Sequence, residues 1–259
     1  MVIRLRLPYR FAGTTAGMLA LALVTGCSEA IHNSADDDRF IRTHDPGADP
    51  SPSVTMNSGP LLPTEVGTRW HNRMLVRPVN SPAGVEGADQ SMYLGDDVIT
   101  ESRPVAGGTA RDVTLTMWQN GIPKPYRKAT YRVKATTVSL VSLSGEGQSL
   151  ILTPPMPLIQ TPPQEGSPLS WDGSAQTAGQ HLSAKGYSRI SRRETLKLDT
   201  GKYGSFRVDT VLRLDVGTRQ LTIPMTHWFS PGSGILKQKF FFSNAAIQKD
   251  VVSFSLRKS

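Results

Sequence analysis

The C-terminal half of the chain alternates apolar and polar residues with the period of two that a β-strand requires. Between positions 206 and 215 one face carries Phe206, Val208, Leu212 and Leu214, and the other carries Arg207, Asp209, Arg213 and Asp215. This pattern predicts a strand with one buried and one solvated face. Returning strands at 221–229, 235–242 and 251–256, separated by short turns, predict an antiparallel meander. Pro224 cannot donate to a ladder, which favours an edge or a bulge there.

Earlier segments are rich in Thr, Val, Leu and aromatic residues, with Gly or Pro between them, and predict further strands. These segments are 70–76, 112–119, 128–135, 137–143, 149–152 and 187–198, the last bent near Ser191. The proline-dense run 153–168 predicts an extended linker that divides the sheet system. Beyond the N-terminal segment, no window has the sustained i, i+3, i+4, i+7 apolar stripe of a long helix. The predicted fold is therefore mainly all-β, an antiparallel curved sheet or half-barrel over residues 64–259.

The N-terminus has the three parts of an export signal. Arg4, Arg6 and Arg10 precede an apolar stretch at 11–24, and small residues then lead to Gly26 and Cys27. The sequence resembles the lipobox of bacterial lipoproteins. The resemblance implies cleavage between Gly26 and Cys27, so that 1–26 is a signal peptide, and a diacylglyceryl group on the Cys27 sulfur with a further acyl chain such as palmitate.

An ordinary cleaved signal and a membrane-spanning anchor are the alternatives for this segment. The apolar stretch is shorter than the roughly 20 residues that a spanning helix needs, and Cys27 is the only cysteine. With Cys27 acylated, disulfides, thiolate catalysis and cysteine-ligated metals are excluded. Several acyl chains anchor a protein effectively permanently. Ser28, in place of a retention aspartate, favours the outer membrane over the inner, facing the periplasm.

Residues 27–63 have almost no apolar pattern and predict a lipidated, disordered tether. They include Asp36, Asp37 and Asp38, which we interpret as a solvated run and not as a cation site. The formal charge is +8, and removing Arg4, Arg6 and Arg10 with the signal leaves about +5. A basic domain fits anionic envelope partners, although simple solubility is the preferred explanation of the charge. Nucleic acid is not an expected partner, since no basic cluster carries interleaved aromatic residues.

The hairpin near position 230 carries a further resemblance. Residues 226–237 include Trp228, Pro231, Gly232, Gly234 and Lys237, and they are preceded by Gly204 and Phe206 and by Trp171 farther upstream. This stretch, within 170–256, resembles TapB-like bacterial lipoproteins of unknown function. The resemblance implies an antiparallel half-barrel comparable in outline to LolA and LolB, with no catalytic residues. Ser233 departs from the aliphatic residue that is usual between the two glycines.

Turn chemistry explains this hairpin without a ligand, because Pro231 presets the turn and both glycines tolerate positive φ. In a curved sheet the aromatic residues Trp228, Phe240 and Phe242 are also candidates to line a cleft for an apolar ligand. No catalytic motif, metal-ligand spacing or cofactor motif is present: Gly232-Ser233-Gly234 is not a nucleophile elbow, and His227 beside Trp228 has no ligand partner at i+4.

Two functions remain open after the sequence is read. The first, which the sequence favours, is a non-enzymatic outer-membrane lipoprotein that binds an apolar or lipidic ligand, or an envelope protein. The second is a structural or interaction lipoprotein whose core is closed by its own side chains; a hydrolase is a distant third. An open apolar interior favours the first function and a filled interior the second.

Overall fold

A computed structural model describes residues 56–78, 91–120, 125–145, 147–166, 168–242 and 245–257 of the 259-residue chain. This part of the chain contains twelve β-strands: β1 (Arg69–Pro78), β2 (Ser91–Pro104), β3 (Arg111–Gln119), β4 (Arg127–Val133), β5 (Thr137–Gly145), β6 (Gln148–Gln160), β7 (Pro168–Thr177), β8 (Gln180–Leu198), β9 (Gly201–Val216), β10 (Arg219–Ser230), β11 (Gly234–Phe242) and β12 (Ala245–Ser255). Within the same residues, no helix is long and apolar enough to cross a membrane.

The strands form one closed antiparallel barrel in which each strand pairs with its neighbours in sequence. The predicted all-β antiparallel class and the C-terminal meander are confirmed. The sheet goes further than the expected half-barrel, because β1 pairs with β12 along its whole length, from Arg69 opposite Ser255 to Pro78 opposite Ala245. Closure removes both sheet edges, which would otherwise present unpaired N–H and C=O groups.

The proline-dense run is not a linker, because its first half, residues 153–160, belongs to β6. β6 pairs with β7 only from Leu150 to Thr153, so the prolines at 154, 155 and 157 lie beyond that ladder and need no N–H toward β7. On the β5 side the register slips between Leu140 and Ser142, where the prolines interrupt the pairing. The predicted bend near Ser191 is also present, as a register shift between Ile190 and Arg192.

The barrel interior is the core, and its alternation follows the sequence. Val208, Leu212 and Leu214 face the interior of the barrel, as predicted, and are buried. Arg207 and Asp209 occupy the opposite face, also as predicted, but that face is not solvated: they are 6% and 2% exposed. The alternation was therefore predictable, whereas the burial of the outer face was not.

The folded domain begins before the predicted boundary at residue 64. Leu61 and Leu62 are buried, and Met56 packs against the core. The amide of Gly232 in the β10–β11 turn donates to the Pro60 carbonyl at 2.8 Å. Residues 56–63, which we call the strap, therefore pack on the end of the barrel and are not part of a tether.

Candidate functional site

A cluster of polar and charged side chains occupies the barrel interior. Its members come from β2, β4, β10, β11 and β12, and each alternates with outward-facing neighbours. All are buried: Asp97, Arg127, Tyr131, His227, Gln238 and Lys249. We call this set the lumen cluster. Charged residues are rarely buried unless they are paired, so the cluster is the first place to seek function.

The centre of the lumen cluster is an ion pair between Lys249 and Asp97. The Lys249 Nζ donates to Asp97 Oδ2 across β1, which separates β12 from β2 in the barrel. Met74 of β1 lies opposite Lys249, and Trp70 lies opposite Asp97. A buried pair of this kind joins two strands that do not share a ladder.

The second part of the lumen cluster connects opposite walls of the barrel. Gln238 of β11 donates its Nε2 to the Tyr131 hydroxyl of β4 at 3.2 Å. The Tyr131 ring also meets His227 of β10 edge-on, with centroids 6.4 Å apart. His227 stacks on Phe229 at 5.8 Å, and the Arg127 guanidinium lies 3.8 Å from the Phe240 ring centroid.

Burial controls the protonation of these groups. It lowers the pKa of His227 to about 3, an effect that the nearby Lys249 and Arg127 reinforce. It also raises the pKa of Tyr131 to about 12, although Arg127 opposes the change. For Lys249, burial lowers the pKa even though Asp97 favours the charged form. His227 and Tyr131 are therefore both neutral near pH 7.

The chemistry available to the lumen cluster is hydrogen bonding more than catalysis. A general base works best with a pKa near the operating pH, and His227 is far below it. The described residues contain no group of three or more His, Cys, Asp or Glu arranged to hold a metal ion. Asn72 Oδ1, Asp97 Oδ1 and His227 Nδ1 are buried without a hydrogen-bond partner in the described part of the chain.

A second cluster lies on the outer face of the same wall, around Trp228. Trp228 follows His227 in β10 and therefore points away from the lumen. Its indole Nε1 donates to the Glu194 carboxylate of β8. The cations of Lys237, Arg207 and Lys239 lie 5.1, 5.4 and 6.0 Å from the ring. We call Trp228, Glu194, Arg207, Asp209, Lys237 and Lys239 the outer cluster.

The outer cluster has its own internal hydrogen bonds. The Arg207 Nε donates to Asp209 Oδ1 at 3.1 Å, and the Thr226 hydroxyl donates to the same oxygen at 3.1 Å. Lys237 pairs with Asp250 of β12 at 3.5 Å. The charges therefore belong to one network that runs across five neighbouring strands, from β8 to β12.

The β10–β11 turn, which contains Pro231 and both predicted glycines, fastens the strap. Gly232 and Gly234 have φ values of +75° and +87°, in the region that the turn chemistry predicts for glycine. A Cβ on Gly234 would lie 2.8 Å from the Trp70 ring and 3.1 Å from Pro63. The Trp70 Nε1 donates to the Ser233 carbonyl at 2.8 Å. The motif is thus a docking point for residues 56–63, a role that turn signals alone do not indicate.

The predicted ligand-lining residues do not line a common cleft. Trp228 lies on the outer face, whereas Phe240, opposite Met225, faces the lumen beneath Arg127. Phe242 is in β11, and its side chain lies outside the described residues. Gly26 and Cys27 also lie outside them, so the lipidation site stays a prediction.

Sequence reasoning missed most of the lumen cluster. The signal was a charged residue on an otherwise apolar strand face: Lys249 lies between Ile247 and Val251, and Arg127 shares a face with Tyr131 and Val133. These residues define the protein as a closed, twelve-stranded antiparallel barrel with a charged interior and a charged, aromatic outer wall.

Comparison with known proteins finds structures that are similar in fold but have low sequence identity. No protein-family model matches the sequence, and no curated protein matches it. Three solved structures are similar in outline, each at 9% identity. An exported protein of Bacteroides fragilis with a YmcC-like fold has a TM-score of 0.48, covering 76% of this chain and 100% of its own.

The other two structures are described as lipoproteins. One, from Parabacteroides distasonis, has a TM-score of 0.43 and covers 77% of this chain and 100% of its own. The hypothetical lipoprotein YmcC of Escherichia coli has a TM-score of 0.37 and covers 72% of this chain and 86% of its own. Likenesses at this level give this chain neither a family nor an activity, and the TapB-like resemblance stays a prediction.

Proposed function

We propose that this protein is a non-enzymatic lipoprotein of the bacterial envelope that acts as an interaction module, with a closed barrel core and recognition on its outer surface. The observation that carries this proposal is the filling of the lumen by large side chains. Trp70, Tyr131 and Phe229 are each at most 1% exposed, and Gln238 bonds to the opposite wall. A barrel crossed by such contacts resembles a packed domain core more than a ligand cavity.

The anchor is the second part of the proposal. Cys27 at the end of the apolar N-terminal run carries the acyl chains, and Ser28 directs the protein to the outer membrane. Replacing Cys27 with Ala leaves the protein soluble or held as its precursor. Metabolic labelling with a palmitate analogue tests this, because label that persists in Cys27→Ala contradicts the anchor. The partner in this proposal is an envelope protein.

Native mass spectrometry of the mature protein from its own host tests the closed core. We expect the mass of the acylated chain alone. A lipid that co-purifies with the Cys27→Ala protein, which has no acyl chain of its own, would instead support the apolar-ligand function. The Ala variant, expressed without residues 1–26, separates the two cases because it has neither an acyl chain nor the apolar signal segment to hold lipid.

A second candidate function is favoured by the orphaned atoms of the lumen. Asn72 Oδ1 and Asp97 Oδ1 are acceptors, and buried acceptors are normally satisfied by protein or by ordered water. A small polar ligand with hydroxyl or N–H donors would satisfy them. The same mass spectra distinguish this candidate, since such a ligand adds a discrete small mass that disappears on denaturation.

A further inference from the structure

The end of the barrel opposite the strap carries an exposed apolar segment at the start of β2. Met92, Tyr93 and Leu94 are 64%, 37% and 54% exposed, and they are three of the six large hydrophobic side chains that are exposed in the described part of the chain. We call these three consecutive residues the rim segment. Exposed apolar residues scattered singly are ordinary, whereas a contiguous group marks a surface that contacts something else.

The rim segment is apolar on both faces of its strand. Tyr93 shares a face with the lumen residue Asp97, so its two neighbours take the opposite, outward face. Within the described residues β2 pairs with β3 only from Gly95, so Met92 and Tyr93 project beyond that ladder. A flat protein surface laid against the wall would cover Met92 and Leu94 but not Tyr93. A lipid layer into which this strand end is inserted would cover all three.

An exposed cation stands directly behind the rim segment. Arg73 of β1 lies opposite Leu94, two residues along the strand from the pair of Leu75 and Met92. The Arg73 side chain has no ion pair or hydrogen bond with the described residues. Two residues of a strand span about 7 Å, and interfacial elements bury their apolar groups about 5–10 Å into the boundary between headgroups and acyl chains. Insertion of Met92 therefore brings Arg73 to the level of the lipid phosphates.

The predicted anchor is compatible with membrane contact at this end of the barrel. Residues 28–55 separate Cys27 from Met56, where the described chain begins. A chain of that length can span up to about 100 Å, whereas the ten residues of β1 rise only about 33 Å. The positive charge of the mature chain also favours an anionic lipid surface over a neutral one.

We propose that the rim segment inserts into the headgroup region of an anionic phospholipid bilayer, with Arg73 against the lipid phosphates. This contact turns the strap away from the membrane and fixes the orientation of the barrel. The inference goes beyond the proposed function, which assigns no barrel surface to the membrane, and it shares with that function only the location at a membrane. A chain without acyl groups tests it, so that a failed anchor and a failed rim contact give different results.

Vesicle flotation of the non-acylated chain, Cys27→Ala without residues 1–26, measures the contact. The vesicles contain phosphatidylethanolamine and phosphatidylglycerol in equal amounts. We expect the parent chain to float with them, and the double variant Met92→Ser with Leu94→Ser to bind at least about tenfold less, because two apolar side chains no longer leave water. The matched control, Val66→Ser with Leu256→Ser, changes two exposed apolar residues at the strap end and should bind as the parent does.

Arg73→Gln isolates the electrostatic part of the contact. It should weaken binding to the phosphatidylglycerol vesicles about fivefold and leave binding to pure phosphatidylcholine vesicles unchanged. Arg103→Gln removes the same charge from the other end of β2, where the side chain is exposed, and should leave both unchanged.

A fluorescent label reports which surface enters the lipid. Cys27 is the only cysteine, so the Cys27→Ala chain accepts one engineered cysteine. A nitrobenzoxadiazole label at Met92→Cys should shift to the blue and be quenched by spin-labelled lipid when vesicles are added. The same label at Val66→Cys should do neither. This measurement decides the question if the serine double variant loses the circular dichroism of the parent.

Four results overturn the proposal. The first is a parent chain that does not float with the anionic vesicles. The second is equal binding of the two serine double variants, and the third is a bound chain whose label at Met92→Cys stays in water. The fourth is a blue shift of that label without vesicles, together with a dimer in sedimentation equilibrium, which would place a second copy of the chain on the rim segment.

Discussion

His227 and Trp228 are neighbours in β10, and each is the aromatic centre of a buried, charged cluster on opposite faces of one sheet. The lumen cluster is enclosed by the barrel itself, because Tyr131 and Gln238 reach His227 from β4 and β11. The outer cluster is built from neighbouring strands of a single wall, around the bond from Trp228 to Glu194. The two clusters are equally buried for different reasons.

The difference shows how burial arises in a barrel. Closure can bury an inward residue whatever its polarity, and a buried lysine such as Lys249 must then bring its own counter-ion. Nothing in closure buries an outward residue. The outer cluster is held by the hydrogen bonds and cation–π contacts around Trp228, and the following variants compare the two clusters.

The largest effect is expected from removing Lys249. Lys249→Met leaves the Asp97 carboxylate buried without its ammonium partner, which should lower the free energy of unfolding by about 4 kcal/mol. Urea unfolding followed by circular dichroism measures it. Lys185→Met, which breaks an exposed pair with Asp172, should change stability by less than about 1 kcal/mol.

A double variant completes this test. Asp97→Leu with Lys249→Met replaces the pair by apolar groups of similar volume, and it should recover at least half of the loss. A double-variant loss equal to the sum of the losses of Lys249→Met and Asp97→Leu alone would mean that the pair carries no coupling and that packing alone explains the site.

Trp228→Ala should be the next largest effect, at about 3 kcal/mol, because the variant removes a buried ring and the indole N–H that donates to Glu194. Trp118, which points outward from β3 and is only partly buried, is the matched control. We expect Trp118→Ala to lower the urea midpoint clearly less. Similar shifts for the two variants would show that the outer cluster is not a structural unit.

The two clusters also differ in how much of them could be predicted from the sequence. Strand alternation placed Phe206 and Val208 on one face and Arg207 and Asp209 on the other, and the barrel keeps this division. The sequence did not reveal that Arg207 is buried, because strand alternation alone does not show its pairing with Asp209 and its position beside the Trp228 ring. It also did not reveal that Trp228 and Phe240 lie on opposite faces, since the register shift at the turn was not visible.

The closure of the barrel could not be predicted from a local sequence pattern either. β2 was missed because Gly95 and two aspartates interrupt its apolar alternation, yet Gly95 is required where a Cβ would lie 2.2 Å from the Trp118 carbonyl oxygen. The pairing of β1 with β12 joins residues more than 160 positions apart. The turn glycines, by contrast, were predictable, because positive φ is a local demand.

A smaller loss of stability is expected from a variant that disturbs the contact between the strap and the β10–β11 turn. Gly234→Ala combines backbone strain at a φ of +87° with contact against the Trp70 ring, and we expect a loss of about 2–3 kcal/mol. Gly217 has a φ of +61°, and no heavy atom of the described residues lies within 4 Å of a Cβ placed there. Gly217→Ala should therefore lose only about 1 kcal/mol. Equal losses would mean that the turn does not hold the strap.

The smallest effect concerns the pH dependence of the lumen cluster. Because His227 has a folded pKa of about 3, below the 6.5 of an unfolded histidine, the unfolded chain takes up a proton that the folded chain excludes. The stabilisation is complete above pH 6.5 and is lost as the pH falls toward 3. The loss of unfolding free energy reaches about 2 kcal/mol at pH 5. His227→Phe, which preserves the stacking on Phe229, should reduce the difference in unfolding free energy between pH 7 and pH 5 by that amount.

His181→Phe, on an exposed part of β8, is the control. An unchanged difference in His227→Phe would show that the ring is protonated inside the barrel and that its neighbours Lys249, Arg127 and Tyr131 rearrange to accept the charge.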